Sequence, residues 1–575
     1  MANIKSLNPM LMTDFYKTIH HLAYIPKLEY LVSYWTPRMT RIEGVDKVVS
    51  FGQQAMFKEY LIDMFNENFF NKPWEEIEAD YVEFITNTMT AQAADTTELK
   101  KLHDLGYLPI RIKSVAEGER VNIKTPMFEV TNTVKGFGWL VNYLETYMSV
   151  NIWHPMTTAT IAYEYRKIVN YYFDKTVDGG VRASACGDFS MRGMTSPECA
   201  MKASAGHLTS FTGTATISAI KWLEYYYNCD SRKEVVGKGV PSTEHSVMSS
   251  YGRDGEFECY RHLIEDVFTS GLLSMVSDTY DYWNVITNYL PRLKNSIMNR
   301  DGKIIIRGDS GDPVDIICGE LKASDYIVVD DLTEEGIKEY FKNEAKNTYP
   351  YNGTSESYYT VRIGDYLYEV TCEHAWDNED GEGYYTSEVE EVYYEKKEIT
   401  PAMKGTVELL WDIFGGTVNS KGYKVLDPHI GAIYGDGITL ERARNIYARL
   451  EAKGFAVTNC TLGIGSYSYL GQLSRDSLGF ALKATNSVIA GVETQIYKDP
   501  ITDKIKGNNF KKSQKGMCYV YRDGDDILYT DELTIEDLKG ENYKDNLLET
   551  FFEDSKLVKE TSLAEIRERL HKGKF

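Results

Sequence analysis

Residues 303–313, KIIIRGDSGDP, place three β-branched aliphatics in a row, then a basic residue, two aspartates, a serine, two glycines and a proline. An apolar run closed by turn residues predicts a strand buried on both faces, the usual strand of a parallel α/β sheet. The polar cluster then falls at the carboxyl end of the strand, where α/β barrels and open α/β sheets carry their active sites. Four more segments repeat the arrangement: 183–193 (ASACGDFSMRG), 272–281 (LLSMVSDTYD), 431–437 (GAIYGDG) and 459–470 (NCTLGIGSYSYL). Between them lie helical patterns. SPECAMKASAGHLTSF has Ser196 as N-cap and Pro197 at the first helical position. TLERARNIYARLEAKG puts Leu440, Ala443, Ile446, Tyr447 and Leu450 on one face.

Strand, polar loop and helix in alternation predict an α/β fold. We expect an α/β barrel, a second domain holding both strand and helix signals, and a small β-rich insertion. The barrel takes 151–318 and 405–485. The acidic, tyrosine-rich stretch 319–404, with alternating pieces such as YYTVRIGDYLYEVTCEH, is the inserted antiparallel unit and carries no assigned chemistry. Residues 1–150 and 486–575 form the two parts of the second domain, and SLAEIRERLHKG predicts a last helix capped by Ser562 and stopped by Gly573.

A chain of 575 residues exceeds one typical core, and 43% hydrophobic with 26% charged residues is a globular composition. The formal net charge of −22 argues against nucleic-acid or acidic-membrane partners, so any anionic ligand must be held by local cations. No signal-peptide core and no run of eighteen apolar residues occurs, so we expect a cytoplasmic protein. The eight cysteines are scattered without a CxxC pair, which speaks against a protein-held metal cage and a disulfide framework.

Arg307 and Asp309 at a strand end suit a phosphate or ribose clamp, and would serve equally as a structural ion pair. GIGS at 463–466, which includes Gly465 and Ser466, offers backbone N–H groups to a phosphate or is a plain turn. His245 lies in the polar loop PSTEHS, as a reactive or a surface histidine. KGNNFKKSQKG at 506–516 concentrates cations, as a phosphate-binding loop or a solvated basic turn. Phe189 and Tyr16 are ordinary core candidates by type.

The segments TDFYK (13–17), GDFSMRG (187–193), STEHS (242–246), VSDTYD (276–281), IIRGDSGDP (305–313), SKGYKVLDP (420–428), YGDGI (434–438), LSRD (473–476) and KKSQKG (511–516) occur in one order. Together they resemble the nicotinamide phosphoribosyltransferase family of type II phosphoribosyltransferases, over nearly the whole chain outside 319–404. The resemblance implies an α/β barrel joined to a β-rich second domain, in a homodimer with active sites shared between subunits. By the same resemblance, Phe189 and a partner's Tyr16 sandwich the pyridine, Arg192 and Arg307 line the base and ribose-phosphate site, and Asp309 stands beside the reacting ribose. Gly435 and Asp436 hold ribose, while Arg38, Arg475, Lys483, Lys498 and Lys511 surround the phosphates. His245 matches a histidine phosphorylated when ATP drives the reaction, and Asp278 its acidic neighbour.

Two departures stand out. Where the family has GTDT, with an aspartate facing the nicotinamide amide, this chain has GTAT with Ala215, and the run before LSRD is the serine- and tyrosine-rich GIGSYSYLGQ. The expected activity makes nicotinamide mononucleotide and pyrophosphate from nicotinamide and phosphoribosyl pyrophosphate, with ATP as coupling substrate and Mg²⁺ carried by the phosphorylated substrates. Nicotinate phosphoribosyltransferase is the alternative, and a catalytically idle binding or signalling protein on the same scaffold is the alternative of another class.

Overall fold

The computed structural model describes residues 6–348, 354–378, 383–435, 437–501 and 512–575. Asp436 and Lys511 lie outside them. The chain forms two compact units. One comprises Met1–Lys167, Arg182–Gly239 and Ile464–Phe575, the other Ile168–Val181 and Val240–Gly463.

The first unit is built on a seven-stranded sheet in the order Val492–Gln495, Phe480–Ile489, Leu28–Pro37, Phe128–Asn132, Ile110–Ser114, Glu549–Glu553, Lys556–Leu557. Every neighbour pair in it is antiparallel. Trp35 locks its centre, stacking on Phe128 at 5.6 Å and on Phe480 at 5.3 Å from the strands on either side. Such cross-strand aromatic pairs fix register as well as burying area. The helix Pro197–His207 starts as its sequence predicts, with Ser196 Oγ accepting the Cys199 N–H at 3.1 Å. Gly206 allows it to pack closely, since a Cβ there would lie 2.9 Å from the Ala159 nitrogen and the Pro155 oxygen. The C-terminal helix Leu563–His571 opens with a reciprocal cap between Ser562 and Glu565. It ends through Lys572 in the left-handed region, one residue before the expected Gly573.

The second unit holds parallel strands Ser270–Val276, Asp301–Gly308, Ile430–Tyr434 and Cys460–Ile464, paired in that order. Pro241–Thr243 adds to its edge, Ser274 N–H donating to the Pro241 carbonyl and Thr243 N–H to the Ser274 carbonyl. The Asp301–Gly308 strand departs from the expectation of two buried faces. Ile304 and Ile306 are fully buried, whereas Lys303, Ile305 and Arg307 share a face that is only partly covered. The period of two thus puts Arg307 on the partly covered face while its neighbours anchor the strand.

The insertion is a sheet of Ile327–Val328, Glu356–Ile363, Tyr366–Asp377 and Tyr384–Glu398. Its first pair is parallel, not antiparallel as expected throughout. A helix, Ile337–Thr348, covers one face with Ile337, Phe341 and Ala345, residues one turn apart that pack on Val361, Val370 and Cys372. The architecture is therefore α/β with a parallel sheet, an antiparallel β-rich sheet and a small β insertion. No helix among the described residues is long and apolar enough to cross a membrane. All eight cysteines are free thiols.

Candidate active site

Every residue of the polar knot after Ile306 has a structural task. The Arg307 guanidinium donates from Nη2 to the Thr243 carbonyl at 2.9 Å, and its Nε stands 3.4 Å from Asp309 Oδ2. The Asp309 N–H and the Ser310 hydroxyl both donate to Asp278 Oδ2, at 3.2 and 2.5 Å. Gly311 turns the chain at φ 89° and its carbonyl accepts the Tyr434 hydroxyl at 2.8 Å. Asp312 caps the helix Pro313–Cys318, accepting the Val314 N–H at 2.9 Å, with Pro313 at the first helical position. The knot ends one strand and begins the next helix, so its side chains are held by local geometry.

Around this turn the structure gathers three acid-base groups. His245 Nε2 lies 3.8 Å from Asp278 Oδ1 and 4.0 Å from Asp309 Oδ2, and its Nδ1 is 3.1 Å from Thr279 Oγ1. One ligand atom from each of His245, Asp278 and Asp309 falls within 4.8 Å of the others. Asp278 is nearly buried, and its Oδ1, which faces the imidazole, has no hydrogen-bond partner among the described residues. Gly435 closes the cluster from the next strand. Its N–H donates to the Gly308 carbonyl at 3.1 Å, and a Cβ on it would run into Asp309 Oδ1. Burial, together with the charges of Asp309 and Asp278, pushes the Tyr434 phenol up to about 12. It therefore stays a neutral donor at neutral pH.

In the other unit, the GDFSMRG segment meets the glycine-serine loop. The Phe189 N–H donates to the Ile464 carbonyl at 2.9 Å, and a Cβ on Gly193 would collide with Ser466 Oγ, so Gly465 and Ser466 lie against the turn that carries Arg192. Phe189 is half-buried and its ring lies over Gly187, where a Cβ would approach Cε2 to 3.0 Å. Beneath it, fully buried Asp188 organises the shelf. Its Oδ1 accepts the Ser190 N–H and hydroxyl, at 3.1 and 2.6 Å, and its Oδ2 the Thr214 and Thr216 hydroxyls, at 2.9 and 3.3 Å. Ala215 is exposed, and its N–H donates to the Asp188 carbonyl at 2.9 Å.

A cationic group forms in the same unit at the start of the helix Glu145–Thr176. Lys17 and Lys483 share Glu145, at 2.9 and 3.5 Å. Burial, outweighing the pull of Glu145, lowers the Lys483 ammonium. Burial and then Arg475 lower Arg38, whose Nε donates to the Gly479 carbonyl at 2.9 Å. Tyr16 is exposed, with His20 as its ring neighbour at 5.6 Å. The segment of Lys498 exchanges bonds with Ser513 beside a cavity of about 400 Å³ lined by Arg38, Lys124, Lys512 and Lys515 and by the acids Asp499, Asp531 and Glu532, the last 3.5 Å from Lys515.

Sequence reasoning missed several of these groups. Thr279 and Ser310 stand inside motifs but were given no role, and Asp188 likewise. Glu145 had no local signal at all, because its importance arises from two lysines far away in the chain.

A sequence model of the nicotinate phosphoribosyltransferase (NAPRTase) family matches residues 184–363 and 388–555, and so takes in His245, Asp278, Arg307, Asp309 and the glycine-serine loop. The nicotinamide phosphoribosyltransferase of Acinetobacter baylyi is 37% identical over 98% of this chain and 97% of its own length. Proteins of the same name from Mycoplasma pneumoniae, 31% identical over 71% of each chain, and Xanthomonas campestris pv. campestris, 27% identical over 97% of each, are also similar. With more than half of the chain matched to the family and a relative aligned end to end, this chain belongs to the nicotinate phosphoribosyltransferase (NAPRTase) family.

Proposed function

We propose that this enzyme transfers phosphoribose from phosphoribosyl pyrophosphate to nicotinamide, giving nicotinamide mononucleotide and pyrophosphate in NAD salvage. The observation that carries it is the Asp309–Arg307 pair held at a parallel strand end beside His245 and Asp278, in a chain whose end-to-end relative bears that name. As pyrophosphate leaves, C1 of the ribose becomes oxocarbenium-like, and the Asp309 carboxylate stabilises that charge. Arg307, fixed by the Thr243 carbonyl, offers its planar fork to phosphate. Phe189 stacks on the pyridine, orienting the ring nitrogen for attack. Mg²⁺ enters as part of the phosphorylated substrates, and Asp278 and Asp309 are oxygen donors of the kind it accepts.

His245 is the phosphoryl acceptor in ATP coupling. It is half-exposed, and with Thr279 engaging Nδ1, its Nε2 faces the two carboxylates. His245→Ala should keep basal transfer and lose stimulation by ATP. Equal stimulation in that variant would move the phosphorylation elsewhere.

Ala215 favours a second reading, in which nicotinate is also accepted. An aspartate there would bind an amide and repel a carboxylate. Alanine does neither, and Asp188 below has both oxygens committed. Product formation with each base, with and without ATP, separates the two. Ala215→Asp should raise the nicotinamide-to-nicotinate ratio of kcat/KM by roughly one to two powers of ten. No turnover of either base would overturn both.

A further inference from the structure

A second cavity, of about 370 Å³, opens where the insertion meets the helices of its own unit. It shares no lining residue with the His245 cluster. Three rings form its walls: Tyr326 from the insertion, Trp411 from the helix Thr406–Phe414, and Phe455 just after the helix Leu440–Ala452. Trp411 and Phe455 meet edge to face with centroids 6.2 Å apart.

Three cations stand among those rings. Arg362 and Lys453 are bound to one carboxylate, Glu408, Lys453 at 3.0 Å. Burial alone would raise the Glu408 carboxyl, but Lys453 and Arg362 outweigh it and hold the group below its ordinary range. Glu408 is therefore charged and fully spent. Asp412, the other acid on the wall, pairs with Lys404 at 2.6 Å. Lys424 has no carboxylate within ion-pair distance among the described residues. Its Nζ sits 5.5 Å from the Trp411 ring and 5.2 Å from the Phe455 ring. The lining thus carries an excess of positive charge, in a protein that is otherwise strongly acidic.

Flat rings select a flat heteroaromatic ligand by stacking, and an uncommitted ammonium beside them selects an anion on that ligand. The volume is at the lower end for sites that take small organic molecules, which suits one planar base, one sugar and one phosphate. We propose that this cavity is a second ligand site, for a mononucleotide, whose base stacks on Trp411 and whose phosphate pairs with Lys424. A ligand held there would tie Tyr326 and Arg362 of the insertion to the helices beneath.

The test is calorimetric titration of the full chain with AMP, in an Arg307→Ala background so that the candidate active site does not contribute. One AMP per chain is expected. Lys424→Ala and Trp411→Leu should each weaken binding about tenfold, Lys424→Arg should retain it, and adenosine or inorganic phosphate alone should bind at least tenfold more weakly than AMP. Lys424 is half-exposed, so its alanine variant folds whether or not Trp411→Leu does. The proposal is overturned if millimolar AMP gives no binding, if Lys424→Ala binds AMP like its parent, or if phosphate alone binds as tightly.

Discussion

Glycine at 435 is what allows Asp309 to occupy its place, because any β-carbon there would strike the carboxylate. The obstacle is the end of a flexible side chain, so Gly435→Ala should displace Asp309 at little cost to the fold. We expect a loss of about 2–4 kcal/mol of transition-state stabilisation, matching Asp309→Asn, with nearly unchanged melting temperature. Steady-state kinetics beside a thermal melt would show it, and normal turnover in either variant would remove Asp309 from the chemistry. At this scale the knot was legible in sequence: Asp312 and Pro313 announce a helix start, Gly311 a turn, and Arg307 with Asp309 a clamp. The bonds from Ser310 to Asp278 and from Arg307 to the Thr243 carbonyl were not, since they join segments 32 and 64 residues apart.

Elements follow the same division between local and distant causes. The helix Leu563–His571 was readable because its start is a local device, Ser562 and Glu565 each satisfying the other's backbone N–H. Ser562→Ala should lower stability by about 1 kcal/mol and Ser562→Gly by less, measured as shifts in melting temperature. An unchanged melt would mean that this helix end is held by packing alone. The helix Ile337–Thr348 was overlooked although Ile337, Phe341 and Ala345 recur at helical spacing, because charged residues crowd the stretch between them. The parallel strand was expected to be buried on both faces. Three successive isoleucines look alike in sequence, yet the pleat sends Ile305 to the face of Arg307, whose openness only the assembled sheet decides.

For the molecule as a whole, acid should expose a liability in the C-terminal helix. His571 is packed beneath Tyr163 and near Arg166 and Arg567, and burial, reinforced by those two cations, lowers its imidazole to about 3. The folded chain refuses a proton that the unfolded chain accepts below about 6.5, so stability is lost as pH falls from there toward 3, by about 1.4 kcal/mol per unit. His571→Gln should flatten the acid limb of a melting-temperature series, and an identical limb would assign the acid lability to other groups. Assembly is tested by complementation. If a partner's Tyr16 completes each site, inactive Tyr16→Ala and Asp309→Asn proteins should regain activity when mixed and shown to exchange subunits. The meeting of Gly193 with Ser466 leaves one further mark, on descent. Space for a single side chain is shared between two positions 273 residues apart in the chain, so a lineage that enlarges one would have to shrink the other. Paired substitution at 193 and 466 would be the inherited trace of that shared space.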